Sequence, residues 1–74
     1  MASQLYRKNQ RFVIYANVNG TEAYARRDAM QAEKLYESLG GYEGSAMLMD
    51  TSDAAWSDSD IECAYSDVEA TENA

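Results

Sequence analysis

The run Phe12 to Val18 reads Phe-Val-Ile-Tyr-Ala-Asn-Val, β-branched and aromatic, and predicts a strand. Asn19-Gly20 follows, a dipeptide that tolerates positive φ at both central positions of a type I′ turn. Thr21 to Arg27 is then the return strand of a hairpin. A two-residue loop sets Val18 opposite Thr21, Ala16 opposite Ala23, Tyr15 opposite Tyr24 and Ile14 opposite Ala25. One face carries Phe12, Ile14, Ala16, Val18, Ala23 and Ala25; the other carries Val13, Tyr15, Asn17, Glu22, Tyr24 and Arg26. A helix starting at Thr21 competes, because good helix formers dominate residues 22 to 39. The hairpin is preferred because Asp28 and Gln31 have the spacing of an N-cap and its N3 partner, which starts the helix at Ala29.

From there Ala29, Ala32, Leu35, Tyr36 and Leu39 form one stripe at helical spacing, and Gly40-Gly41 ends it. Gly44 to Asp50 is a short apolar strand candidate. Thr51 to Asp60 reads as a loop with Trp56 folded back on the core. Ile61 to Tyr65 alternates as a last strand, with a short helix as the competing reading. The expected fold class is α+β: a small β-β-α-β(-β) domain, an antiparallel sheet with one helix on one face. The organisation expected is a polar N-terminal arm over 1–10, a single domain over 11–66, and an acidic, disordered tail over 67–74.

Composition narrows the chemistry. The 74 residues contain no His, and Cys63 is the single Cys, so disulfide scaffolds, His-based catalysis and ordinary zinc sites are excluded. We expect no enzyme, no cofactor and no metal. Asp50, Asp53, Asp58 and Asp60 are hard oxygen donors, but they lack an EF-hand's central Gly, and Ile61 stands where its bidentate Glu belongs. No window reaches the roughly 18 apolar residues of a membrane span, and residues 1–10 lack an apolar signal core, so a cytoplasmic location without membrane contact is expected. Met30, Met47 and Met49 read as core fillers, and Cys63 as a small buried hydrophobe.

Charge changes the picture most. The net charge is −7, but all six basic residues lie within residues 1–34, while residues 35–74 hold ten acids and no base. The acids Asp50, Asp53, Asp58, Asp60, Glu62, Asp67, Glu69 and Glu72 recur every few residues, a row comparable to the phosphates of a nucleic acid. The bland reading is a solvated tail, yet Trp56, Ile61, Cys63 and Tyr65 stand among these acids and imply ordered presentation. Asp50, Asp53, Asp58, Asp60 and Glu62, with Trp56, Tyr15 and Tyr24 as apolar anchors, are therefore the candidate partner-binding residues. Arg7, Lys8, Arg11, Arg26 and Arg27 cluster at the open end of the hairpin and are the alternative, a nucleic-acid-binding patch. The overall charge opposes that alternative. The Tyr15/Tyr24 pair would also make an exposed patch suited to a homodimer.

The order of hairpin, Asp-led helix with Ala-x-x-Ala-x-x-Leu-Tyr spacing, Gly-Gly and short strand resembles small acidic proteins of phages. Among these are the RNA polymerase inhibitors of T7-like phages and small anti-CRISPR proteins. The resemblance is one of architecture and composition over about residues 11–50, and no functional residue is carried over. It implies a stoichiometric inhibitor that docks on the basic groove of a host CRISPR effector or RNA polymerase in the host cytoplasm, without itself contacting nucleic acid. A small nucleic-acid-binding module and a structural, oligomerising accessory protein are the two competing expectations.

Overall fold

The computed structural model describes residues 7–73. In chain order these form β1 (Phe12–Tyr15), β2 (Ala23–Arg26), α1 (Ala29–Ser38), β3 (Met47–Asp50) and α2 (Asp58–Glu72), with single 3₁₀ turns at Lys8–Gln10 and Gly41–Glu43. The sheet order is β2-β1-β3, and β1 pairs antiparallel with both neighbours. This is a small α+β domain, as the hydrophobic pattern predicts. The sheet, however, is covered on both faces rather than one.

The hairpin register departs from expectation by one residue. Phe12 faces Arg26, Val13 faces Ala25, Ile14 faces Tyr24 and Tyr15 faces Ala23. The connection is longer than two residues: Ala16 N–H donates to the Glu22 carbonyl at 2.9 Å, and the chain reverses at Asn17–Gly20, where Gly20 N–H donates to Asn17 O at 3.0 Å. Asn17 Oδ1 accepts from Asn19 N–H at 3.0 Å, an Asx turn that fixes the reversal one step before Asn19-Gly20. Among the described residues only Gly40 and Gly44 have positive φ, so the expected type I′ turn does not form. A one-residue slip moves every side chain of one strand to the other face. Ala23 and Ala25 therefore join Val13 and Tyr15, while Tyr24 joins Phe12 and Ile14.

Each face has its own helix. Asp28 caps α1 by accepting from Gln31 N–H at 2.9 Å, at the predicted start. Ala32 packs with Phe12 and Ile14, and Leu35, Tyr36 and Leu39 close the rim of this layer. The predicted stripe is thus correct except for Ala29, which is exposed. Gly40 takes φ 79° and ends α1. Gly41 is buried under the Tyr36 ring, whose hydroxyl donates to the Gly41 carbonyl at 2.9 Å.

Opposite lies α2, in place of the expected last strand and disordered tail. Ser57 accepts from Asp60 N–H at 3.2 Å and Asp60 Oδ2 from Ser57 N–H at 3.4 Å, a reciprocal capping box. Ile61, Ala64, Tyr65 and Val68 recur at i, i+3, i+4 and i+7 and pack on Val13, Ala23 and Met49. The helix runs through the region assigned to a tail: Val68 is buried and Thr71 Oγ1 accepts from Ala23 N–H at 3.0 Å. Of the polar arm expected over 1–10, residues 1–6 lie outside the described residues, as does Ala74. Arg7 belongs to the fold: its N–H donates to Tyr65 Oη at 2.6 Å and its guanidinium lies 4.7 Å over the Tyr65 ring. Two smaller expectations also fail. Met30 is 69% exposed and Cys63 is exposed, so neither fills the core.

Candidate functional site

The clearest gathering of sequence-predicted residues lies between the end of β1, β3 and α2. There a groove of about 260 Å³ is lined by Tyr15, Met47, Met49, Trp56, Asp60, Cys63 and Asp67, together with Val18 and Gly20. The shape follows from local structure. The loop after β3 is tied down at Asp50, whose Oδ1 accepts from Ser52 N–H at 3.0 Å and from the Ser52 hydroxyl at 2.7 Å. Asp53 Oδ1 then accepts from Ala55 N–H at 2.9 Å, and Trp56 N–H donates to Asp53 O at 3.2 Å. This pair of turns returns Trp56 against the α2-side core, as expected of it. Helical spacing puts Asp60 and Asp67 on the flank of α2 that faces the groove.

Tyr15 is half-buried in the groove wall and donates to Asp67 Oδ2 at 2.7 Å. Burial first, then the Asp67 carboxylate, raises its phenol well above the ordinary 10, so Tyr15 stays a neutral donor throughout the physiological range. A groove with thioether and aromatic walls and two carboxylates at its rim suits the stem and head of a lysine or arginine side chain.

Tyr24 does not join this site. The register places it on the α1 face, where its hydroxyl is bonded to Glu22, an arrangement that raises its pKa. Tyr15 and Tyr24 thus lie on opposite faces of the sheet, and the cross-strand aromatic patch expected to support a homodimer does not exist.

The remaining candidate acids divide by how they are held. Asp50 is occupied by Arg11, whose Nε and Nη2 each donate to one of its carboxylate oxygens at 3.0 Å. These bonds and those from Ser52 lower its pKa to about 2 despite partial burial. Asp58, Asp60 and Glu62 are exposed on the first turns of α2, where Asp58 and Asp60 complement the positive end of the helix. Glu69 pairs with Arg7 at 3.1 Å. Among the described residues Glu62 and Glu72 have no hydrogen bond or ion pair. Glu72 occupies the last turn of α2, where a negative charge costs about 0.3–1 kcal/mol and a positive one would stabilise. The sign of Glu72 is therefore not explained by the stability of α2.

The basic patch is partly engaged in the same way, although three of its five residues share one groove. Arg7 and Arg11 are engaged with Glu69 and Asp50, and Arg26 Nη1 donates to the Ala25 carbonyl at 2.7 Å. Lys8, Arg11 and Arg27 line an open groove of about 640 Å³ with Asn9 and Asp28. The half of the sequence that holds every base and the half that holds ten acids and no base are thus stitched together rather than held apart, and the net field of α2 stays negative.

The Arg11–Asp50 pair sets a pH dependence. Asp50 has a folded pKa of about 2 against an ordinary 3.8, so its contribution to stability is complete above about pH 4 and is lost as pH falls towards 2. Both side chains are partly solvated, which reduces the contribution to about 1 kcal/mol. Asp50→Asn is expected to lower stability by that amount at pH 7 and to converge with the parent chain near pH 2, as read by urea unfolding at the two pH values.

Among the described residues no helix is long and apolar enough to cross a membrane, and no three His, Cys, Asp or Glu residues group closely enough to hold a metal ion. The fold and groove define a small α+β domain with an ordered acidic helix. No protein-family model, curated protein or solved structure matches the chain.

Proposed function

We propose that the protein is a non-enzymatic inhibitor that docks its acidic α2 face on a basic surface of a nucleic-acid-handling protein complex, in the manner of a phage-encoded anti-CRISPR or transcription inhibitor. One observation carries the reading. The acids of residues 58–72 are displayed by a capped, packed helix, and Glu72 keeps its sign against the helix dipole. A solvated tail needs neither helix nor packing. The groove at Tyr15, Trp56, Asp60 and Asp67 supplies a socket for a lysine or arginine of the partner, and the surrounding acids steer the encounter. Direct binding of nucleic acid is less favoured, because Arg7, Arg11 and Arg26 are already bonded within the fold.

The tagged chain should capture a nucleic-acid-binding complex from bacterial lysate at low salt, lose it as salt rises, and be displaced by duplex DNA. The double variant Glu62→Lys, Glu72→Lys should fold as stably as the parent, since Lys at position 72 complements the helix end, and should capture about tenfold less. Recovery of no such complex at any salt, or equal capture by the reversed variant, overturns the proposal. A gel shift with the protein alone on single- and double-stranded oligonucleotides should show no binding.

A further inference from the structure

We infer that the open edge of β3 takes up an extended, basic segment of a partner protein as a fourth strand of the sheet. The inference shares with the proposed function only the premise that the partner is a basic protein. It starts from the backbone. In an antiparallel ladder, alternate residues turn both N–H and C=O towards one neighbour. Thr51 N–H donates to Arg11 O at 2.9 Å, so Val13 and Tyr15 bond β3 through Met49 and Met47. Leu48 N–H and C=O, and Asp50 N–H, therefore point away from the sheet.

The opposite edge is capped at two of its outward groups. By the same alternation Ala23 and Ala25 of β2 face outward, but Ala23 N–H donates to Thr71 Oγ1 at 3.0 Å and the Ala25 carbonyl accepts from Arg26 at 2.7 Å. Those bonds block the edge that β2 would otherwise offer. Nothing comparable covers Leu48 among the described residues, and the residue is 38% exposed.

Grooves flank this edge on both faces of the sheet, and they share Met47. On the α1 side Phe12, Tyr36, Tyr42 and Leu48 line about 410 Å³ of mainly apolar space with Glu33 as its charge. Tyr42 donates to Glu33 Oε1 at 2.8 Å, which holds the carboxylate at the rim. On the α2 side lies the groove already described, with Asp60 and Asp67. A strand added to β3 sends successive side chains alternately into the two grooves. Both contain apolar walls and only acidic charge, so the complementary segment mixes apolar residues with Lys or Arg. A second copy of this chain is a poor occupant, because it would bring the same acids and another charge of −7 to the edge.

The test uses the full chain, isotopically labelled, and a synthetic ten-residue peptide alternating valine with lysine. Binding should shift the Leu48 and Asp50 amide resonances and slow their hydrogen exchange at least about tenfold. The same peptide with glutamate for lysine should not bind. Leu48→Pro removes the outward N–H without removing a ladder bond, and should weaken binding at least about tenfold while retaining a cooperative thermal transition. Glu33→Lys, at an exposed position, should weaken binding without touching the edge backbone and so stands in if the proline variant fails to fold. Shifts confined to α2 amides would overturn strand addition and leave the acidic-face reading intact. Binding unaffected by both substitutions, or sedimentation showing the peptide-free chain already dimeric with these amides protected, would also overturn it.

Discussion

A chain ending at Ser66 is expected not to fold. The eight residues removed read in the sequence as an acidic tail, yet they hold the last two turns of α2. Val68 is 1% exposed and sits on Val13 and Ala23, and its burial is worth about 1.5–3 kcal/mol. Removing Thr71 takes from Ala23 N–H its acceptor and leaves it to water, a net loss of about 0.5–1.5 kcal/mol. Tyr15 loses Asp67, the acceptor that fixes its hydroxyl in the groove wall. The total is about 4 kcal/mol, against the roughly 4–11 kcal/mol that a domain of this size has, and small domains fall at the lower end. Far-UV circular dichroism should show a largely unstructured chain with no cooperative urea transition. A cooperative transition within about 1 kcal/mol of the full chain would show that residues 67–74 are dispensable.

Tyr65→Phe should lower stability by about 2 kcal/mol although it removes a single oxygen. Tyr65 is 4% exposed, and its hydroxyl joins three segments. It accepts from Arg7 N–H at 2.6 Å and lies 2.9 Å from Thr51 Oγ1. Thr51, fully buried, commits its one hydroxyl proton to the Arg11 carbonyl at 2.6 Å, so in this pair Tyr65 donates. Phenylalanine keeps the ring beneath the Arg7 guanidinium but leaves the Arg7 N–H without its acceptor and Thr51 Oγ1 without its donor, while Thr51 still donates to the Arg11 carbonyl. Thr51→Val removes the oxygen that Tyr65 addresses, so the double variant should lose about 1 kcal/mol less than the two single losses combined. Strict additivity in urea unfolding would show that the hydroxyl pair is not coupled.

Much of the fold was legible residue by residue. The β-branched run after Phe12, the Asp28 cap, the stripe through Ala32, Leu35, Tyr36 and Leu39, and the stop at Gly40 are local features, and each forms where its chemistry places it, although the strand ends at Tyr15 rather than Val18. The Ser57-x-x-Asp60 spacing and the Ile61, Ala64, Tyr65, Val68 period were also present, but reading the segment only as far as Tyr65 left Val68 out, and an i, i+3, i+4 pattern that short is equally compatible with a strand. The candidate site was partly legible. Trp56, Asp60 and Tyr15 do meet, whereas Tyr24 lies on the other face and Asp50 is held by Arg11. Asp67, assigned to the tail, belongs to the groove.

By itself the sequence determined the class of the domain, the position of α1, and a second half in which every charge is negative. These depend on propensity, capping and composition, which act within a few residues. Only the tertiary structure decided the hairpin register, because Asn17 and Asn19-Gly20 are both local turn signals, while burial of Ala23 and packing of Ala25 on the α2-side core accompany the observed one. Only the tertiary structure, too, joined Arg7 to Glu69 and Arg11 to Asp50, pairs separated by 62 and 39 positions along the chain. Those pairings tie the basic half of the chain to the acidic half and leave the outward face of α2 as its dominant charge.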